Sequence, residues 1–384
     1  MEAYLDNSAT TRCYREVCEI VSRTMYEDFG NPSSMHLKGM EAERYVKEAA
    51  SQIAATLKVS EKEIYFTSGG TESDNWALIG TAEANKRRGR HIIITDIEHP
   101  AVSAPASFLE DQGYEVTRLP SDSHGCISMD DLREAVREDT ILVSTMYVNN
   151  EIGSVQPVEA IGAFLKEQYP EVAYHVDAIQ AYGKYRIWPE RMGIDLLSVS
   201  GHKIHGPKGV GFLYVRNKVK LHPVIHGGGQ QNGMRSGTDN VPGIAGLGCA
   251  AEMCCRELEE HAEYMYRLKH QLTDGLNGME DVVIHGMAVY DGAPHIVNAS
   301  FMGVRSEVLL HALEEKGIYV SAGSACSTHK KSKSPTLSAI GAGAGEMESA
   351  VRFSFSEETT PEEITYTLEV LEGLLPMLRR YMRR

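Results

Sequence analysis

Hydrophobic and polar positions alternate in a regular rhythm along residues 14–255. Short apolar runs rich in β-branched residues are separated by longer segments whose apolar positions recur at helical spacing. The short runs predict strands at residues 63–67, 91–95, 115–119, 141–147, 172–176, 195–199 and 210–215. The longer segments predict helices, for example at residues 34–57, 72–88 and 158–168. This alternation predicts an α/β fold whose mainly parallel seven-stranded sheet is covered by helices on both faces.

The C-terminal third follows a different pattern. A long helical segment at residues 240–279 precedes strand-like runs at 282–285, 296–301 and 319–321, with helices expected at 307–316 and 361–381. We therefore expect a large domain of residues 14–257 and a smaller α+β domain of residues 1–13 and 258–384. Residues 204–207 are too few for a crossover helix, so strand 210–215 is predicted to pair antiparallel with strand 195–199.

Composition limits the classes of partner and compartment. The 384 residues carry a formal net charge of -15, which disfavours binding to nucleic acid or to anionic membranes. No signal-like N-terminal segment and no apolar run of membrane-spanning length is found, so a cytoplasmic protein is expected. The seven cysteines show no metal-ligand spacing, and their odd number fits a reducing compartment. No metal site is predicted.

A lysine follows one of the predicted strands directly. Lys203 lies within Ser200-Gly201-His202-Lys203, after strand 195–199 and before a Gly-Pro turn. Ligands in open α/β folds bind at the carboxyl ends of the strands, and a lysine held there among hydroxyl and imidazole groups suits Schiff-base chemistry. A lone lysine in such a place is more often a solvated surface residue, so this interpretation depends on the other motifs.

An aspartate follows the preceding strand in the same way. Asp177 is expected at the tip of strand 172–176, where a carboxylate could hold the protonated ring nitrogen of a pyridoxal cofactor. Gln180, one helical turn later, could donate to an oxygen of that ring. The alternative for Asp177 is a helix N-cap. The pair of Asp177 and Lys203 at successive strand ends is more specific than either residue alone.

A glycine-rich turn after strand 63–67 is a candidate phosphate site. Gly70 and Thr71 open a helix there, so backbone N–H groups and a hydroxyl could converge on an anion, and Ser200 and His202 could close the site from the other side. The alternative is a capping box, in which the same residues satisfy the helix N-terminus and bind no ligand.

Two further side chains are candidates at the same edge, and a third candidate comes from the small domain. His99 follows strand 91–95 and could stack on a cofactor ring and relay protons, although a lone histidine after a strand is usually a polar loop residue. Asn150 follows strand 141–147 as an amide donor. Arg352, on a strand-like run of the small domain, could clamp a substrate carboxylate with two parallel hydrogen bonds.

Taken together, these motifs resemble those of the pyridoxal-5′-phosphate-dependent cysteine desulfurases, of the class V aminotransferase superfamily and fold type I. The resemblance covers nearly the whole chain and rests on segments 4–11, 29–34, 67–75, 149–153, 175–178, 200–203, 234–238 and 323–326. It implies that Lys203 bonds covalently to the cofactor, that Asp177 pairs with the pyridine nitrogen and that Gln180 contacts the ring oxygen.

The resemblance also implies the remaining roles. His99 stacks on the ring and acts in acid/base steps, while Asn150 and Arg352 bind the substrate. The phosphate is held by Gly70, Thr71, Ser200 and His202. Thr238 reaches the phosphate in the partner subunit's site, which implies a homodimer.

Cys326 separates a desulfurase from related enzymes. The resemblance implies that its thiolate takes the sulfur of L-cysteine as a persulfide, releases L-alanine and passes the sulfur to an acceptor protein such as an iron–sulfur scaffold. We expect Cys326 on a mobile loop of the small domain, since its surroundings are small, polar and basic. His329 and Lys330 are near enough in sequence to raise the thiolate fraction.

Two departures from the family pattern stand out, and two alternatives remain. Gly70 occupies a position where the family form has alanine, and residues 356–358 lack the Gly-Arg that often follows the arginine strand. A selenocysteine lyase, or another class V transaminase or lyase, would use Lys203 without needing Cys326. A catalytically silent scaffold would be expected to have lost Lys203, Asp177 or Cys326, and the sequence retains all three.

Overall fold

The computed structural model describes residues 1–322 and 334–382. The strands are β1 (Ala3–Tyr4), β2 (Ile64–Thr67), β3 (His91–Thr95), β4 (Glu115–Leu119), β5 (Thr140–Met146), β6 (Ala173–Asp177), β7 (Leu196–Ser200), β8 (Gly211–Val215), β9 (Val282–His285), β10 (Ile296–Phe301), β11 (Ile318–Tyr319), β12 (Ser321–Ala322) and β13 (Ala350–Ser354). The α-helices are α1 (Arg15–Tyr26), α2 (Leu37–Leu57), α3 (Gly70–Asn75), α4 (Thr81–Asn85), α5 (Pro100–Asp111), α6 (Met129–Ala135), α7 (Val158–Gln168), α8 (Val241–Arg256), α9 (Leu258–Asn277), α10 (Ser306–Glu314), α11 (Pro335–Ala339), α12 (Ala344–Ser349) and α13 (Pro361–Met382).

One large sheet organises the N-terminal two thirds of the chain. Its seven strands run in the order β2-β8-β7-β6-β5-β3-β4. β8 is antiparallel to β2 and β7, and the other neighbouring pairs are parallel. The predicted mainly parallel sheet and the antiparallel pairing of residues 210–215 are therefore confirmed. β5 and β7 are buried along their whole length, as continuous apolar strands between two helical layers should be.

A second, smaller sheet lies in the C-terminal part. It has the antiparallel order β12-β13-β10-β9, and β1 pairs in parallel with β11. Ala3 and Leu5 are fully buried in one apolar cluster with Phe353 and Ile364. Since the first residues of the chain pack with the last hundred, this cluster supports our proposed division into residues 14–257 and residues 1–13 with 258–384.

The predicted single helix at residues 240–279 is wrong, because the chain breaks there into α8 and α9. Glu257 leaves the helical conformation, with φ -117° and ψ 37°. Ile244 and Leu247 of α8 belong to the core beneath the large sheet, whereas Leu268 and Leu272 of α9 belong to the core of the smaller sheet. The two halves of the helical pattern face different cores, and a straight helix could not serve both.

Helix α3 also differs from its predicted bounds. The helical segment begins at Gly70 rather than Glu72, passes through a π-helical turn at Trp76–Gly80, and ends at Asn85. Its earlier start places the glycine turn directly at the end of β2. In the described parts of the chain, no helix has the length and apolar character needed to cross a membrane.

Candidate active site

A cavity of about 580 Å³ opens at the carboxyl ends of the parallel strands. β2, β3, β5, β6 and β7 all end at this edge, which is where ligands collect in open α/β sheets. Ten of the predicted site residues line the cavity: Gly70, Thr71, His99, Asn150, Asp177, Gln180, Ser200, His202, Lys203 and Arg352. Thr238 does not line it and is exposed, and Cys326 lies outside the described residues.

Lys203 ends a single 3₁₀ turn, Gly201–Lys203, that follows β7. Its Nζ donates to the backbone carbonyls of Ser8 and Ala9, the latter at 2.9 Å. Two residues after Lys203, His205 has a left-handed φ of 61°. Its Nδ1 lies 2.7 Å from the Arg12 carbonyl oxygen, so the N-terminal segment fixes the turn that carries Lys203.

Asp177 is the last residue of β6 and is buried beneath the cavity. Its Oδ1 accepts a hydrogen bond from the Ile179 backbone N–H at 2.9 Å. Burial raises the pKa of Asp177, whereas the Ile179 N–H and the Lys203 cation act in the opposite direction. A carboxylate in such a place is stabilised by a cation at the cavity floor, and a protonated ring nitrogen is a cation of this kind.

Two carboxyl groups that the sequence analysis did not select lie near Asp177. Burial and then the Asp177 charge raise the pKa of Glu98 to about 8, and the same two causes raise the pKa of Asp74. Glu98 Oε1 accepts hydrogen bonds from Thr95 Oγ1 at 2.8 Å and from the Met146 backbone N–H at 2.9 Å. In the sequence, the position of Glu98 next to His99 was the one sign that Glu98 could lie near the cavity.

The glycine turn at the end of β2 supplies an anion cradle. Gly69 has a φ of 145°, a conformation that side-chain-bearing residues rarely adopt, and a Cβ on Gly70 would lie 2.1 Å from Ile179 Cδ1. A second cavity beside the first, of about 410 Å³, is lined by Thr71, Ser200, His202 and Lys208 together with this turn. Backbone N–H groups, hydroxyls and a lysine at one place fit a phosphate group.

The imidazoles at the cavity are neutral near pH 7. Burial and the Lys203 cation lower the pKa of His99 to about 4, and burial followed by Lys203 and Lys208 lowers the pKa of His202 to about 4. His99 caps α5, since its Nδ1 accepts a hydrogen bond from the Ala101 backbone N–H at 3.1 Å. That bond fixes the ring, whose uncharged face suits stacking on an aromatic ligand.

Gln180 is held at the cavity wall by a contact with the N-terminal segment. Its Nε2 donates to the Ser8 carbonyl at 3.0 Å, the same carbonyl that accepts from Lys203. Its Oε1 lies 3.4 Å from Nε2 of the buried His295. The predicted contact of Gln180 with a cofactor ring stays a prediction.

Arg352 reaches the cavity from β13 of the smaller sheet. Its Nη2 donates to Asp6 Oδ1 at 2.9 Å, and its Nη1 donates to the Asn150 backbone carbonyl at 2.7 Å. The buried Nε has no hydrogen-bond partner within residues 1–322 and 334–382. These two bonds use two of the five guanidinium N–H groups, so Nη1 and Nη2 each keep one N–H for an incoming carboxylate. Asn150 contacts Arg352 through its main chain, and the role predicted for its side-chain amide stays a prediction.

The residues of these cavities fit pyridoxal 5′-phosphate. The cradle of Gly70, Thr71 and Ser200 suits the phosphate, and the buried Asp177 carboxylate suits the ring nitrogen. Lys203 follows Ser200 by three residues and shares the cavity with both groups. Within the described residues there is no group of three or more histidine, cysteine or acidic side chains that could hold a metal ion.

Comparison with known proteins places this site in a family. The aminotransferase class-V family matches residues 3–367. A cysteine desulfurase IscS of Methanosarcina thermophila is 44% identical over 376 residues, which are 98% of this chain and 92% of that protein. The IscS of Dictyoglomus turgidum is 42% identical over 379 residues, covering 98% and 95% of the two chains.

Solved structures agree in both fold and extent. A NifS-like protein superposes with a TM-score of 0.93 at 40% identity, over 98% of this chain and all of that one. A structure described as SspA in complex with cysteine gives a TM-score of 0.82 at 34% identity, over 93% of this chain and 100% of that one. Both the fold-type I architecture and the dependence on pyridoxal 5′-phosphate follow. The chain belongs to the class-V aminotransferase family, among relatives named as cysteine desulfurases.

Proposed function

We propose that this protein is a cysteine desulfurase, which converts L-cysteine to L-alanine and collects the sulfur as a persulfide on Cys326. The observation that carries the proposal is the convergence of Lys203, Asp177, His99 and Arg352 on one cavity, in a chain whose full length resembles known desulfurases. The sulfur is supplied through an acceptor protein, such as a scaffold, for iron–sulfur clusters or other thio-cofactors.

The cofactor supplies an electron sink for the α-carbon of the amino acid when it is bound. Asp177 would hold its ring nitrogen and Gln180 its ring oxygen, with His99 stacked on one face. Gly70, Thr71, Ser200 and His202 would hold the phosphate. These assignments are supported by the shared cavity, and Lys203 is the amine within it that can bond covalently to a carbonyl group.

Three side chains would act on the substrate itself. Arg352 binds and orients the α-carboxylate through charge-assisted hydrogen bonds. Lys203 Nζ would take the proton that leaves the substrate α-carbon and return it later in the reaction, because it lies at the cavity wall on a turn fixed by Ser8 and Ala9. His99 is uncharged near neutral pH and its Nδ1 accepts from the Ala101 backbone N–H, so the ring carries its proton on Nε2 and can donate it within the cavity.

Sulfur transfer itself needs Cys326. Its thiolate attacks the substrate sulfur, an S–S bond forms, and the C–S bond breaks with its electron pair left on the carbon skeleton. That carbon takes up a proton, and the skeleton leaves as L-alanine. The cavity is lined by Ser321, Ala322, Pro335 and Thr336, which lie close in sequence to Cys326 on either side of residues 323–333.

The first experiment replaces Cys326 with alanine. The variant is expected to bind the cofactor with an unchanged visible spectrum, but to release neither L-alanine nor sulfide from L-cysteine with a thiol reductant. The matched control is Cys18→Ala, which removes an exposed thiol on α1 and should turn over normally. Unchanged turnover by Cys326→Ala would defeat the assigned role and favour a lyase that needs no cysteine.

The functional unit is a homodimer. An exposed apolar surface on α1, α2 and the loop between them supports this, formed by Met25, Tyr26, Phe29, Met35, Leu37 and Met40. Six large apolar side chains exposed within one stretch of chain are a feature typical of a protein–protein contact. Thr238 is exposed and outside its own cavity, which suits a role in the partner subunit's phosphate site.

Light scattering of the wild-type holoenzyme should give twice the chain mass of 42.4 kDa. Phe29→Asp should lower that mass and weaken cofactor binding together, since a charge on the apolar surface disfavours its burial. A monomeric wild-type enzyme with full activity would refute the dimer and the role of Thr238.

The enzyme works in the cytoplasm, where reducing conditions would keep the Cys326 thiol available. The six cysteines in the described parts of the chain are all free thiols, which agrees with such a compartment. Fractionation of cells that express the protein at its natural level, with activity followed in each fraction, tests the location. Activity confined to a membrane fraction would contradict it.

A further inference from the structure

The N-terminal segment 5–9 is fixed against the strand that carries Arg352. The Ser354 backbone N–H donates to the Leu5 carbonyl at 2.8 Å, and the Ser8 backbone N–H donates to Ser354 Oγ at 2.8 Å. Asn7 Nδ2 adds a bond to the Ser354 carbonyl at 3.1 Å. Asp6 itself forms a parallel bridge with Ser354, two residues beyond the arginine. The position of the Asp6 backbone is therefore set by β13.

The Asp6 side chain makes the one direct carboxylate contact to Arg352 among the described residues. The two groups are separated by 346 residues in sequence, and Asp6 Oδ1 lies 2.9 Å from Arg352 Nη2. The Arg352 side chain is only 8% exposed, and that of Asp6 is 20% exposed. Another acid near the arginine, Glu151, is buried and accepts instead from Ser334 Oγ at 2.5 Å.

The guanidinium is thereby held along one edge. Nη1 is bound to the Asn150 carbonyl and Nη2 to Asp6, while Nε is left with no partner in residues 1–322 and 334–382. A planar guanidinium has five donors in a fixed fork, so fixing Nη1 and Nη2 by one bond each decides where the second N–H of each points. An arginine side chain also loses rotamer entropy when it is ordered. Asp6 makes that ordering independent of the substrate.

We propose that Asp6 is a positioning residue, whose carboxylate holds the Arg352 guanidinium in the orientation that receives the substrate α-carboxylate. This inference rests on the proposed function, because it deepens the role given there to Arg352. It assigns Asp6 no contact with the reacting atoms. Removing Asp6 should weaken binding of carboxylate-bearing ligands and leave ligands without a carboxylate nearly unaffected.

The test uses the holoenzyme and two small probes, L-alanine and L-alaninamide, whose binding is followed by the visible absorbance of the cofactor. They share the amine and methyl groups, and differ in that the amide replaces the carboxylate. In Asp6→Ala the dissociation constant of L-alanine should rise roughly tenfold, the equivalent of one charge-assisted hydrogen bond. That of L-alaninamide should change less than about twofold.

The kinetic constants give a second readout. The KM for L-cysteine should rise in Asp6→Ala by about the same factor as the L-alanine dissociation constant, with a much smaller change in kcat. Asp6→Asn keeps an acceptor oxygen without the charge, so its effects should fall between those of wild type and Asp6→Ala. It also serves where Asp6→Ala does not fold. Asp139→Asn removes a surface Asp–Arg pair, Asp139 Oδ1 with Arg137 Nε at 2.7 Å, and is the matched control.

Equal losses for L-alanine and L-alaninamide, or tighter L-alanine binding in Asp6→Ala, would overturn the inference. Tighter binding would mean that Asp6 competes with the substrate for the arginine. The proposed function fails separately: an enzyme that binds L-alanine in an Asp6-dependent manner, yet produces no sulfide from L-cysteine, would refute the desulfurase and retain the positioning role.

Discussion

Glu98 is expected to be uncharged in the folded protein, and Glu98→Gln tests this directly. Burial and the nearby Asp177 charge raise the pKa of Glu98 from 4.5 to about 8. Its Oε1 already accepts from Thr95 and from the Met146 backbone, while Oε2 has no partner within the described residues. Glutamine keeps the accepting oxygen and places an uncharged donor where the protonated acid has its hydroxyl. It is thus a close mimic of the neutral form.

The magnitude follows from proton linkage. The unfolded carboxyl loses its proton near pH 4.5 and the folded one near pH 8, so between these values the folded state binds more protons. Stability therefore falls as the pH rises through that window, by about 1.4 kcal/mol per pH unit. From pH 6 to pH 8 Glu98 alone accounts for about 2.3 kcal/mol, because the slope halves as the pH reaches the folded pKa, and Glu98→Gln should lack this loss.

The assay is thermal unfolding of the cofactor-free protein at pH 6 and pH 8. For 384 residues the unfolding entropy is on the order of 0.8 kcal/mol/K, so Tm should fall by about 3 °C more in wild type than in Glu98→Gln. Glu48→Gln, on the exposed face of α2, is the control and should follow wild type. If Glu98→Gln lowers Tm at both pH values and keeps the wild-type pH dependence, Glu98 is ionised and the reasoning is wrong.

Three further predictions concern the cavity. Gly70→Ala should lower the free energy of unfolding, seen as a lower Tm, and the free energy of cofactor binding by about 1–3 kcal/mol each, because the new Cβ would lie 2.1 Å from Ile179 Cδ1. Ile179→Val should restore part of both losses in the double variant. Arg352→Lys should raise the KM for L-cysteine by about 10- to 100-fold through loss of the two-pronged carboxylate contact, measured by steady-state kinetics with sulfide detection. His99 should stay neutral from pH 8 down to pH 5, because burial and Lys203 lower its pKa to about 4. The free energy of unfolding should therefore decrease as the pH falls from 6.5 towards 4. A ring resonance of His99 that titrates near pH 6.5 by NMR would contradict this.

Strand-end reasoning succeeded for the large domain because its physical basis is local. Parallel strands leave the sheet at one edge, so a polar residue just after each strand must lie near the others. Lys203, Asp177, Gly70 and His99 could be grouped on this ground alone, and all four line the cavity. Arg352 could not, since it comes from a different sheet whose position relative to the first is decided by packing between the two domains.

The residues that the sequence did not indicate are those that act through distant partners. Asp6 belongs to a short N-terminal segment whose importance is visible only when β13 lies beside it. Asp74 and Glu98 reach Asp177 from two different elements, and their perturbed pKa values arise from burial, which no local pattern encodes. The helix break at Glu257 has the same origin, since the residue is compatible with a continuous helix and packing against two cores decides otherwise.

A departure from the family pattern joins the two halves of the site. Glu357 belongs to the segment 356–358, which lacks the Gly-Arg expected from the resemblance; it accepts a hydrogen bond from Tyr14 and lies 3.3 Å from His205 Nε2. The adjacent His205 imidazole, the Lys184 charge and the hydrogen bond from Tyr14 hold the pKa of Glu357 well below its usual range despite burial.

Tyr14 stacks on His205 at 4.4 Å, and His205 lies two residues after Lys203 in the strained turn. The strand of Arg352 and the turn of Lys203 are thus connected by Glu357 on one side and by residues 6–9 on the other. The connection through residues 6–9 uses the N-terminal segment, whereas Glu357 contacts His205 and Tyr14, so the distance between the lysine and the carboxylate-binding arginine is set by two separate sets of short contacts. Because two separate contacts fix this distance, loss of either one should loosen the geometry without abolishing it.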